Sequence, residues 1–165
     1  MPTVTIAPPR GFKTIDLATA SRATAPGISG TAAIAPYSWL NLAPLLYEGG
    51  AAVTVTSYTS SPFVWSIQGI GHAGPDGASK VLITDPRTRL AWKAPGRLPL
   101  PDSVSLEPGE GTSIVVTPST DFPGMYLLRA PFNPRGNLNI VTDVGVSYLA
   151  YGAQEPLLVA FLAQA

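Results

Sequence analysis

Cysteine is absent from the 165 residues, so no disulfide framework and no thiolate metal site can form, and the redox compartment stays open. Histidine occurs once, at His72, which leaves any zinc site to be completed by carboxylates and any Ser-His-Asp triad to be assembled from distant segments. Charge is scarce. Asp, Glu, Lys and Arg make up 12% of the chain, and ten basic residues balance ten acidic ones. A typical soluble domain carries about 25%. With no net field to steer it, the chain is expected to bind no specific nucleic acid. Long apolar runs are missing too. The longest near a terminus, Pro156 to Ala163, falls far short of the roughly 20 residues of a membrane-spanning helix. Met1 to Arg10 show no basic region followed by an apolar core, so no secretory signal is expected, and the protein stays inside the cell that makes it or leaves by another route.

What is abundant is apolar and stiff. Hydrophobic residues reach 45% and mean hydropathy is +0.23, and a neutral, greasy exterior promotes association. Proline occurs 18 times, and the basic residues are seven Arg to three Lys. Stiff loops fit a heat-adapted source, and a GC-rich genome gives the same bias.

The strand pattern dominates. Asn137 to Gly152 alternates throughout, with Leu138, Ile140, Val144, Val146 and Tyr148 on one face, and Gly145 marks a bulge or a bend that splits it. Ala51 to Thr59 reads as a half-buried strand. Phe63, Trp65 and Ile67 share a face opposite Val64, Ser66 and Gln68. Further strands are expected at Lys80 to Thr84, Leu90 to Lys93, Ser103 to Leu106 and Ser113 to Thr117. Met125 to Ala130 is apolar on both sides, as for a strand packed on two faces. Leu157 to Leu162 is apolar at every position, so its second face must meet a second layer or another chain. Tyr37 to Tyr47 fits a short helix or a buried strand equally. Gly69 to Ser79 reads as a loop, and Thr3 to Ile6 as a short edge strand.

Gly11 to Pro36, rich in Ala, Thr, Gly and Pro, reads as an extended arm with little to bury of its own. Residues 1–50 are therefore expected to form an arm and lead-in, and 51–165 the domain. The turn spacing implies an all-β chain: a single jelly-roll or Greek-key β-sandwich or barrel of about eight strands.

Few residues invite chemistry. His72 lies near Asp76 in a glycine-flanked loop, and Gly69-x-Gly71 precedes a strand where a dinucleotide fingerprint requires a helix. Asp102, Glu107 and Asp121 fall in turns without a pairing motif. No catalytic residue, metal or cofactor is expected, and the chain reads as a non-enzyme. Trp92 beside Lys93 is the best exposed candidate for a sugar-stacking surface in a lectin-like alternative. Arg87, Arg89, Lys93 and Arg97 form a basic cluster suited to acidic partners or lipid headgroups.

A cysteine-free, low-charge, proline-rich chain with an Ala/Thr/Pro/Gly arm before a compact set of strands resembles the small single jelly-roll major capsid proteins of tailless, membrane-containing icosahedral phages of thermophilic bacteria. The resemblance is architectural, and it covers decoration and spike proteins as well. It implies a virion shell subunit that forms dimers or higher oligomers with itself, partly by exchanging its arm. A larger capsid protein would stand beside it and an internal membrane beneath. Subunit contacts are expected at Ile15, Leu17, Ile28 and Ile34 in the arm, and at Leu158, Phe161 and Leu162 in the last strand.

Overall fold

A computed structural model describes residues 7–15, 30–36, 39–47, 50–57, 61–72, 77–94, 102–129, 137–143 and 145–165. These form thirteen strands, and no helix occurs among the described residues. They are β1 (Phe12–Thr14), β2 (Gly30–Pro36), β3 (Asn41–Tyr47), β4 (Gly50–Thr56), β5 (Val64–His72), β6 (Ser79–Thr84) and β7 (Ala91–Lys93). The chain continues through β8 (Ser105–Glu107), β9 (Ile114–Pro118), β10 (Tyr126–Arg129), β11 (Asn137–Asp143), β12 (Val146–Ala153) and β13 (Leu157–Gln164).

Stepping from β13 through β2, β5, β6, β7, β8, β4, β12, β11 and β10 returns to β13, so ten antiparallel strands close into a barrel. β9 crosses this ring, with β10 on one side and β6 on the other. The all-β expectation holds, while the eight-strand jelly roll does not. A jelly roll opposes two four-stranded sheets, whereas closure here joins every ring strand to two neighbours and removes the edges. β1 extends β13 outside the ring, and β3 extends β4.

The described segments within residues 1–50 are built into the sheet, because β1, β2 and β3 come from them. β2 lies between β13 and β5, with Ala33 opposite Leu162, Ile34 opposite Phe161 and Ala32 opposite Trp65. Its small residues read as featureless in sequence. They fit because bulky partners fill the space on either side.

Asn137 to Gly152 is two strands rather than one. Gly145 takes the left-handed backbone (φ 74°), and Asp143 pairs with Val146 across a tight hairpin. Tyr37 to Tyr47 resolves as β3 over 41–47. Its Pro44 is tolerated because β3 pairs with β4 alone among the described residues. Val53, opposite Pro44, sends its N–H away to the Val104 carbonyl (3.1 Å), so Pro44 faces the outer edge, where it offers no donor. On that same edge the Trp65 indole N–H donates to the Leu42 carbonyl (2.9 Å). Strand addition at this edge therefore meets a missing donor and an occupied acceptor.

β5 runs through to His72, with an irregularity between Gly69 and Gly71, so the first part of the expected 69–79 loop is strand. β10 is covered on one face only: Tyr126 and Leu128 are buried, Leu127 is half-buried and Arg129 exposed. The expected strand at residues 3–6 lies outside the described residues.

The main core gathers Ile34, Leu42, Val53, Trp65, Trp92, Leu106, Leu128, Leu149 and Phe161 inside the ring. A smaller cluster of Ala33, Ala35, Met125, Ala160 and Leu162 forms on the opposite faces of β2 and β13, with half-buried Trp39, Phe122 and Leu158 against it. The second face of Leu157 to Leu162 is thus met by the chain's own residues. Trp39 adopts a left-handed backbone (φ 59°), which costs roughly 1–2 kcal/mol, and burial of part of its ring in this cluster offsets the cost.

Candidate functional site

The turn between β6 and β7 is built around Asp85, which is buried (3% exposed). One carboxylate oxygen accepts from the Arg87 backbone N–H (2.9 Å) and the other from the Thr88 hydroxyl (2.9 Å). The Asp85 carbonyl accepts from the Arg89 N–H (2.7 Å), and the Leu90 carbonyl accepts from the Asp85 N–H (2.9 Å). Four bonds to one residue make the turn rigid, with Arg89 in the left-handed region (φ 62°). Asp at the start of such a turn is locally favoured, because its short side chain reaches the backbone N–H two residues on.

The consequence is a fixed Arg87. Its guanidinium carbon stands 5.2 Å from the Phe63 ring centroid, a cation–π distance. Phe63 is held in turn by Trp65, edge to face at 4.6 Å between centroids, and Trp65 meets Trp92 at 5.3 Å and 85°. Both Asp85 oxygens are committed to the turn, so no carboxylate pairs with the Arg87 side chain among the described residues.

Arg87 and Phe63 form one wall of a cleft of about 530 Å³, whose other lining residues include Asn41, Ala43, Thr56, Pro62 and Val64. Asn41 is 4% exposed, and its Oδ1 has no hydrogen-bond partner among the described residues. Leaving a buried polar atom unpaired costs about 1–3 kcal/mol, so its persistence marks the site. The Thr56 hydroxyl donates to the Asn41 carbonyl (3.4 Å), which ties the end of β4 to the start of β3. One fixed cation, a buried amide and an apolar wall thus line the same cleft.

The residues singled out in the sequence fall differently. Arg87 and Arg89 are exposed on the turn. Lys93 is half-buried and paired with Ser105. Trp92 is 0% exposed, which corrects its reading as a surface platform. Neighbours in a strand point to opposite faces, so Lys93 beside it says nothing of its exposure. Arg97 and Asp76 lie outside the described residues, and His72 is placed only by its backbone, opposite Ser79.

Among the expected contact residues, Ile34, Phe161 and Leu162 are interior (0%, 0% and 1% exposed). Ile34 and Phe161 cannot meet another subunit without opening the barrel, because they face the main core where β2 pairs with β13, and Leu162 is covered by the second cluster on the other face. Ile15 is half-buried and its N–H donates to the Phe161 carbonyl (2.8 Å); Leu158 is half-buried on the second cluster. Leu17 and Ile28 lie outside the described residues. Asp102 is exposed and accepts from the Tyr151 hydroxyl, Glu107 accepts from the Ser105 hydroxyl (2.7 Å), and Asp121 is exposed. Among the described residues no three His, Asp or Glu side chains gather closely enough to hold a metal ion.

Sequence reading missed Asn41 and Thr56 altogether and read Phe63 only as a core residue. The available signal was the Asp85-Pro86-Arg87 turn, which names the cation but not its surroundings. No family model, curated protein or solved structure matches the chain.

Proposed function

We propose that the chain is a shell-building structural protein, a capsid subunit that associates with copies of itself and stands beside other coat proteins. The observation that carries this reading is the tip of the β3–β4 hairpin. Leu46 is 82% exposed and Leu45 44%, next to the Tyr47 to Gly50 turn, in a chain with only 12% charged residues. Val64, Ile70 and Val141 are also 40% exposed or more. Covering a leucine of this kind is worth about 1.5–3 kcal/mol, and a lattice repeats the gain at every copy.

In this reading the barrel is complete in itself, and subunits meet through exposed tips and faces rather than through Ile34, Phe161 or Leu162. The finer form, a shell protein of a tailless, membrane-containing phage of a thermophilic bacterium beside a larger coat protein, keeps only the compositional side of the resemblance, low charge, no cysteine and abundant proline, because the closed ten-strand ring is not a jelly roll. Burial of Trp92 removes the main support for a lectin-like alternative. Size-exclusion chromatography with light scattering tests the proposal. The wild-type chain is expected as a dimer or larger species at micromolar concentration, and Leu46→Glu is expected to shift it toward monomer with an unchanged melting temperature. A wild-type monomer at every concentration up to about 100 μM, well above the Kd of a specific contact, would overturn it.

A further inference from the structure

We infer that the cleft beside the 85–90 turn binds a small hydroxyl-bearing carboxylate, of the class of a uronic acid. Arg87 supplies the charge. Its backbone is fixed by the buried Asp85 and its guanidinium is laid over Phe63, so little conformational freedom is lost when an anion arrives. Guanidinium and carboxylate match as a bidentate pair.

A single negative charge is the right one. Among the described residues that line the cleft Arg87 is the only cation, and it would leave a phosphate dianion half-neutralised. Hydroxyls complete the match, because Thr56 and Asn41 both line the cleft, and the buried Asn41 Oδ1 behind it is an acceptor without a partner among the described residues. Ala43, Pro62, Val64 and Phe63 offer an apolar wall for the C–H face of a sugar ring. The volume of about 530 Å³ lies within the range of small-ligand sites.

The test is titration of the full chain with sodium glucuronate, followed by ¹⁵N–¹H NMR. Expected are millimolar binding and shifts at the amides of Asn41, Thr56, Val64 and Arg87. Glucose, which lacks the carboxylate, and inorganic phosphate are expected to bind at least about tenfold more weakly. Arg87→Ala is expected to weaken glucuronate by a similar factor, and Arg87→Lys by less, both with unchanged melting temperatures because the side chain is exposed. Phosphate binding as tightly as glucuronate, shifts confined to other surfaces, or an Arg87→Ala chain that binds as wild type would each overturn the inference.

Discussion

Trp65 and Trp92 provide a matched pair for measuring one buried hydrogen bond. Both are 0% exposed, and they touch each other edge to face. The Trp65 indole N–H donates to the Leu42 carbonyl at 2.9 Å, while the Trp92 indole nitrogen is buried without a partner among the described residues. Replacing either by Phe deletes similar volume. At ~24 cal/mol per Å³ of cavity, the lost pyrrole ring costs about 1 kcal/mol in each case. Trp65→Phe also strands the carbonyl of Leu42, itself 0% exposed, for a further ~1–3 kcal/mol. Trp92→Phe instead removes an unpaired donor, which returns a comparable amount. The expected costs are thus roughly 2–4 kcal/mol for Trp65→Phe and near zero for Trp92→Phe. At about 2–4 °C per kcal/mol, the two melting temperatures should differ by roughly 4–16 °C. Urea unfolding followed by far-UV circular dichroism reads the difference without relying on the altered tryptophans. Equal costs within ~0.5 kcal/mol, or the reverse order, would refute the assignment of the Leu42 carbonyl to Trp65 and of no partner to Trp92.

Further consequences concern backbone approach and alkaline pH. A Cβ on Gly111 would stand 2.8 Å from the Trp92 carbonyl oxygen and 2.9 Å from the Ala91 Cβ, so Gly111→Ala must push the 111–112 strap off β7. A loss of about 1–3 kcal/mol is expected, along with the bond from the Thr112 N–H to the Trp92 carbonyl (2.9 Å), and thermal unfolding checks it. Burial raises the Tyr151 hydroxyl above its ordinary pKa of 10.0, and its hydrogen bond to Asp102 and the charge of that carboxylate push the same way. The neutral form is therefore favoured by folding. Its contribution is fully present below the unfolded pKa and is lost as pH rises through the higher folded one. Wild type should lose stability relative to Tyr151→Phe as pH rises above 10.0, its ordinary value, and parallel denaturation curves on that alkaline side would contradict the shift.

The shell reading and the cleft are independent. Leu46 lies on the β3–β4 hairpin tip and Arg87 on the 85–90 turn, so Leu46→Glu and Arg87→Ala separate association from ligand binding. The rigid Asp85 turn serves the cleft whatever the oligomeric state. The hairpin tip, in turn, owes nothing to Arg87.

What the residues determined alone was local. Alternation at Phe63, Trp65 and Ile67, and the glycine at 145, specify strands and a turn because side-chain direction and backbone freedom are properties of a few consecutive residues. The absence of cysteine and of net charge excluded whole chemistries for the same reason, without reference to any fold. Tertiary structure decided which edges meet. Nothing in Gly30 to Pro36 announces a central strand, since its alanines gain their role only beside Leu162, Phe161 and Trp65. Nor does Lys93 reveal that Trp92 is interior. The cleft follows the same rule: Asn41 and Thr56 pair across the β3–β4 hairpin, Phe63 and Arg87 flank the β5–β6 hairpin, and only the tertiary meeting of the two brings one cation, one buried amide and one aromatic wall together.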